Sequence, residues 1–227
     1  MEPVPLLSSF YFGSVEHYRL FARHPKVIID TGEHYERQSY RTRTAIIGPN
    51  GKQDLSIQVS HDHGTKMPMR EVRLSYAETW PAQHVHAIRS AYGQTPWFIH
   101  YIDEIETVVM KRYERLVDLH MATIGLGMRW LGITAEVFVS QSYVEGDEYH
   151  VGKGGLGPMD YTMPSSEHFP LLHLRRSFHP KKPLPAEVAQ VPPYPQVFAD
   201  RHGFTPRMSV IDLVCNTGPQ ARHWLLA

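Results

Sequence analysis

Short β-branched runs alternate with longer amphipathic stretches along the chain, and this order predicts an α/β architecture. Leu6-Leu7 reads as a first strand. The stretch from Ser14 to His24 carries Val15, Tyr18, Leu20 and Phe21 at helical spacing, with Ser14 placed to cap it and Pro25 to end it. Val27-Ile28-Ile29 then forms a buried strand that delivers Asp30, Thr31 and Gly32 at its carboxyl end. Thr44 to Ile47 and Leu55 to Val59 flank Gly48-Pro49-Asn50-Gly51-Lys52, and Asn-Gly between alternating segments predicts a β-hairpin. Glu71 to Tyr76 alternates polar and apolar side chains, which predicts a half-buried strand on the same sheet. Helices are expected over Pro81 to Tyr92, Phe98 to Tyr113 and Leu116 to Leu131, the last closed by Gly132. Ala135 to Val139 supplies another strand. Beyond it, residues 141–193 turn rich in Gly and Pro and read as an irregular loop placed to cover an active site. The expected fold is a single α/β domain over residues 1–227, with a mixed β-sheet flanked by helices and interrupted by that loop insertion. The sheet is expected to be parallel in the first strand-helix-strand unit and antiparallel through the hairpin.

Composition narrows the function classes. The 227 residues can bury roughly 70% of the surface an unfolded chain exposes. Lys plus Arg and Asp plus Glu are equal at 23 each, so no overall basic field points to a nucleic-acid duplex or an anionic membrane. No apolar run approaches the ~20 residues of a membrane span, and Met1-Glu2-Pro3 does not open a signal peptide. A soluble cytoplasmic protein is the expectation. Cys215 is the single cysteine and sits in an apolar run, as a small buried hydrophobe does.

The chemistry-bearing residues concentrate between two apolar strands, in the segment Glu33-His34-Tyr35-Glu36-Arg37-Gln38-Ser39-Tyr40-Arg41-Thr42-Arg43. Arg41 and Arg43 share a face if that segment is extended, and their planar forks suit phosphate or carboxylate oxygens; paired surface arginines are the other reading. Gln38, Ser39 and Tyr40 add neutral donors and acceptors. There are 15 histidines. His61 and His63 could chelate a metal from one strand face, yet no second pair at zinc-finger spacing accompanies them, and no metal site is assigned. His84 lies on the inward stripe of its helix with Ile88 and Tyr92, as a core imidazole or a catalytic one would. Asp212 lies in the apolar stretch Val210 to Val214, where a carboxylate needs a partner: a helix cap or one of the arginines. The glycines from Gly152 to Gly157 follow no clear strand and lack a Gly-Lys-Ser/Thr ending, so they confer flexibility rather than cradle phosphate. Neither a Gly-x-Ser-x-Gly elbow nor a dinucleotide fingerprint is present, and no cofactor is expected.

Five segments together resemble the WbqC-like proteins: Tyr11-Phe12; Glu33 to Arg43 with Pro49-Asn50-Gly51; Trp80 with His84, Ile88, Tyr92 and Pro96; Leu116 to Leu119; and Tyr194 to Pro219, which holds Tyr-x-Gln-x-Phe, Ser209 and Asp212. The resemblance implies an enzyme of bacterial surface-glycan (O-antigen type) biosynthesis, a transferase placing a small acyl or aminoacyl group on an amino sugar. The matched positions that would serve it are Ser39, Arg43, Asn50, His84, Tyr92, Tyr194, Gln196 and Asp212. One departure stands out. Many members carry His-Gln-Pro-x-Tyr-x-Pro-Trp after their first strand, where this chain has Leu7-Ser8-Ser9-Phe10-Tyr11-Phe12-Gly13-Ser14; His34 is a candidate replacement for that histidine.

The expected scheme has His84 or His34 as general base, and Arg41 and Arg43 on a phosphate or carboxylate. Tyr194 and Gln196 orient the sugar, and Ser39, Asn50, Tyr92 and Asp212 complete the binding set. The partners are a nucleotide-linked or lipid-linked amino sugar and an acyl or aminoacyl donor, with a homo-oligomer left open. A non-catalytic glycan-binding or nucleotide-sugar-binding protein is the alternative, and a metal-dependent hydrolase using the extra histidines is a third.

Overall fold

The computed structural model describes residues 2–60, 67–150, 155–156, 168–180, 182–186, 188 and 191–227. The expected α/β fold is observed: a six-stranded mixed sheet in the order β6-β8-β1-β2-β5-β7, flanked by helices. Its four middle strands run parallel: β8 (His168–His173), β1 (Val4–Leu7), β2 (Lys26–Asp30) and β5 (Glu136–Ser140). The two edges, β6 (Glu148–His150) and β7 (Gly155–Leu156), are antiparallel to their neighbours.

Side chains alternate across this sheet as the two-residue period requires. Leu7, Val27 and Ile29 enter the main core under the helices. Leu6, Ile28 and Phe138 face the other way, into a smaller cluster with Val144, Tyr149 and Phe169. The helical layer contains α1 (Val15–Arg23), α4 (Leu116–Trp130), α6 (Val210–Thr217) and α7 (Ala221–Leu226). Ser14 caps α1 by accepting from the His17 N–H, and the helix ends before Pro25, as its sequence signals predict. Outside it lie α2 (Trp80–Tyr92), α3 (Ile102–Met110) and the short α5 (Ala199–His202). Among the described residues no helix is long and apolar enough to cross a membrane.

Four expectations are corrected. The hairpin exists as β3 (Arg43–Gly48) and β4 (Gly51–Ser56), but it is a separate two-stranded sheet; β6 and β7 supply the antiparallel members of the main one. Its loop residues are Pro49-Asn50 rather than Asn50-Gly51, and Gly51 opens the return strand at φ 99°. Proline holds φ near −65°, which forbids the left-handed first position that an Asn-Gly-type turn requires. Glu71 to Tyr76 is no strand of the sheet: Met69–Glu71 is a 3₁₀ turn, and Arg73 and Leu74 make single bridges to Arg115 and Val59. The helix expected over Phe98 to Tyr113 is a 3₁₀ turn, Phe98–His100, followed by α3.

The fourth correction matters most for function. The stretch read as irregular loop, 141–193, contains β8, which pairs parallel with β1 through Val4 to Leu171, Pro5 to Leu172 and Leu6 to His173. Pro170 and the flanking histidines disguised it, because proline ordinarily argues against an inner strand. Here Pro170 lies just before the β1 register begins. The glycine-rich stretch at 152–157, apart from its strand pair at 155–156, and His61 with His63 lie outside the described residues.

Candidate functional site

The four parallel strands end at one edge of the sheet, and a cleft of about 640 Å³ opens there, lined by residues that follow β2, β5 and β8. Ligands of open α/β sheets bind outside the carboxyl ends of the strands, where the strand order reverses. That reversal falls between β1 and β8, since the chain leaves β1 toward β2 and β5 and returns on the opposite side. Ser8 follows β1; Glu33, His34 and Glu36 follow β2; Tyr143 follows β5; Arg175 and Arg176 follow β8.

Arg41 is the hub. Its guanidinium, 2% exposed, donates from Nε to Glu33 Oε1 at 3.0 Å and from Nη2 to Glu33 Oε2 at 2.8 Å, a bidentate pair. Nη1 reaches Glu36 Oε2 at 3.2 Å, and Nη2 also donates to Ser8 Oγ at 2.8 Å. Ser8 in turn donates to the Arg175 carbonyl at 2.9 Å, tying β1 to the end of β8. Burial pushes the Glu33 carboxyl above its ordinary range, against the pull of Arg41. Ser39 shapes the turn that presents Arg41, donating to the Glu36 carbonyl at 2.6 Å and accepting from the Arg41 N–H at 3.4 Å. Gln38 in that turn holds φ 55°, a left-handed conformation uncommon for a residue with a Cβ.

A second buried carboxylate, Asp30, fixes the other wall. It accepts from the Gly32 N–H at 2.9 Å and the Val144 N–H at 3.1 Å, and pairs with the Arg175 guanidinium. That guanidinium lies 4.4 Å from the ring centre of Tyr143. Tyr143 and the exposed His34 lie nearly parallel, 16° apart with centroids at 6.2 Å. His34 makes no side-chain hydrogen bond among the described residues, whereas His173 shares Nε2 with the Gly146 carbonyl at 2.9 Å. Arg176 and Lys182 line the cleft without an ion pair among the described residues. Among the described residues the cleft thus holds Arg41 and Arg175 paired with carboxylates, and Arg176 and Lys182 that are not.

The remaining expected residues lie elsewhere. Arg43 starts β3 and turns to Asp54 of the hairpin at 3.6 Å, so the two arginines do not share a site. Asn50 is exposed at the hairpin tip. His84 is buried beneath the hairpin. Its Nε2 must donate to the Ser56 carbonyl at 3.1 Å, which leaves Nδ1 to accept from the Tyr11 hydroxyl at 3.2 Å. Burial lowers its pKa to about 4. Tyr92, Tyr194, Gln196 and Asp212 do meet, as an interior network. Asp212 Oδ2 accepts from Tyr194 at 2.6 Å and Gln196 at 2.7 Å, and Asn216 donates to Oδ1 at 3.2 Å, with the Tyr92 hydroxyl close by. Burial raises Asp212 to about 6 despite these donors. The network binds the 194–216 segment to α2 and α6; its members do not line the cleft. Among the described residues no three His, Cys, Asp or Glu side chains gather as metal ligands.

Arg175, Arg176, Tyr143 and Lys182 were missed by sequence reasoning. The signal was Leu171-Leu172-His173-Leu174-Arg175-Arg176, an apolar run delivering polar groups at its end, as Val27 to Asp30 does.

No curated protein and no solved structure matches the chain. The family model described as the WbqC-like protein family matches residues 9–153, which includes the β2–β3 segment and β5 but stops short of β8 and of Tyr194, Gln196 and Asp212. Over that span, more than half of its length, the chain belongs to the WbqC-like protein family.

Proposed function

We propose that the cleft is the active site of a transferase of bacterial surface-glycan (O-antigen type) biosynthesis, which places a small acyl or aminoacyl group on an amino sugar carrying an anionic group. The observation that supports this reading best is the convergence of three strand ends, of β2, β5 and β8, on a polar cleft where Arg176 and Lys182 have no ion pair among the described residues. Positive charge in a low-dielectric recess concentrates anionic substrates. Of the two candidate bases, His34 stands in the cleft with its ring unengaged by hydrogen bonds among the described residues, and His84 does not. In the step assigned to it, the acceptor amine attacks the acyl carbonyl, a C–N bond forms and the bond to the donor's leaving group breaks. His34 takes the amine proton and returns it to that leaving group. The Glu33–Arg41 and Asp30–Arg175 pairs hold the walls in place around it.

His34→Ala is the test, because the side chain is exposed and its loss leaves folding intact. Turnover should fall roughly 100-fold or more, with the affinity for the sugar unchanged; unchanged turnover removes His34 from the mechanism. A non-catalytic binding protein is the second reading. It is favoured by Leu7, which stands where many family members carry histidine and is fully buried in β1. It predicts stoichiometric sugar binding with no transfer by the wild-type chain from any acyl or aminoacyl donor.

A further inference from the structure

The cleft wall distinguishes between substrate classes. Among the described residues its lining is ionic, imidazole and phenol side chains, with no aliphatic one. A polyprenyl tail would find no apolar groove there. The aromatic surface is of another kind. Tyr143 is 44% exposed although large and apolar, with the Arg175 guanidinium over its ring at 4.4 Å. Arg175 is itself fixed by the buried Asp30. His34 lies nearly parallel to that ring, so the loops after β2 and β5 present flat π-surfaces at one end of the cleft. Arg176 and Lys182, from the β8 side, are the cations left unpaired among the described residues. An aromatic platform beside uncompensated cations is the arrangement that stacks a base and holds the phosphates attached to it.

We propose that the cleft takes the nucleoside diphosphate part of a nucleotide-linked sugar, the base flat against Tyr143 and the phosphates between Arg176 and Lys182. The proposal rests on the reading of this cleft as an anionic-sugar site and selects the nucleotide-linked class over the lipid-linked one.

Calorimetric titration of the full chain with UDP, ADP, inorganic pyrophosphate and farnesyl diphosphate tests it. Both nucleotides should bind roughly tenfold or more tighter than pyrophosphate, the margin that stacking one base supplies. Tyr143→Ala should bring them down to the pyrophosphate level without changing pyrophosphate itself, and Tyr143→Phe should restore the difference. Arg176→Glu should weaken all three alike. If pyrophosphate binds as tightly as the nucleotides and Tyr143→Ala changes nothing, the platform is wrong and the anionic cleft stands. Tighter binding of farnesyl diphosphate than of either nucleotide overturns the choice in favour of a lipid carrier. Failure of all four to bind would reject the anionic-sugar reading itself.

Discussion

At the scale of single residues, the paired charges decide most. Arg41 and Glu33 are 2% and 5% exposed, so removing one partner leaves an uncompensated charge away from water. Arg41→Met should therefore lower unfolding stability by about 3–5 kcal/mol. Arg41→Met with Glu33→Leu should recover most of it, because the pair's attraction largely offsets its own desolvation. Urea denaturation of the two variants measures this, and an equal loss in both would mean that shape, rather than charge, governs the site. Asp212 poses the converse problem. Among the described residues its side chain accepts from Tyr194, Gln196 and Asn216. Asp212→Asn turns an NH₂ toward such donors and should cost about 1–3 kcal/mol, visible as a lower melting temperature with the anion affinity of the cleft unchanged.

At the scale of elements, the cleft depends on how closely the loops after β2 and β5 approach. Gly32 is the point of contact: a Cβ there would come within 2.2 Å of Ser142 C and Tyr143 N, both backbone atoms. Gly32→Ala must push the two loops apart, at about 1–3 kcal/mol of overpacking. It should also displace Tyr143 and Arg175 relative to His34. Circular dichroism melts together with anion titration would register both effects, whereas an unperturbed affinity would show the loops to be independent. The same scale explains why β8 escaped notice. Its stability comes from pairing on both sides, with β1 and β6, rather than from its own alternation. The hairpin was legible because its turn is local, although Pro49 selected a turn other than the one Asn50-Gly51 suggested.

For the molecule as a whole, buried imidazoles link stability to pH. Burial lowers His17 to about 3, His84 to about 4 and His120 to about 3. The unfolded chain protonates each near pH 6.5, so unfolding takes up protons below that value. Their contribution is present above pH 6.5 and is lost on acidification through the window down to the folded pKa, at about 1.4 kcal/mol per pH unit for each group. Asp212 acts with the opposite sign. Its folded pKa of about 6, against an ordinary 3.8, makes the folded form hold a proton that the unfolded chain has released, so it gains stability as pH falls from 6 toward 4. His17 can be isolated. Neither of its ring nitrogens makes a hydrogen bond among the described residues, and Phe10, Phe21 and Phe178 pack around it. His17→Phe should stabilise the chain at pH 7 by about 1–3 kcal/mol and by a growing margin as the pH is lowered to 4. Thermal melts across that range check it, and a constant margin would place a charged or hydrogen-bonded His17 in the folded state.

Local physics determined much of this protein from sequence alone. The capped α1, the strands at Leu6-Leu7 and Val27 to Asp30, the hairpin and the polar segment around Arg41 all follow from short-range periodicity, capping and turn chemistry. The α/β class followed from their order, and the WbqC-like resemblance from particular motifs such as Trp80 with His84 and Tyr92. What tertiary structure alone decided is which polar groups share a space. Arg41 and Arg43, two positions apart, diverge to different partners, while Arg41 and Arg175, 134 positions apart, meet through Ser8 at the sheet's switch point. Tyr194, Gln196 and Asp212 converge in the interior rather than in the cleft. Spacing along a chain constrains only neighbours within a turn or a strand, whereas a site at the ends of parallel strands is assembled by the strand order, which depends on pairing between distant segments.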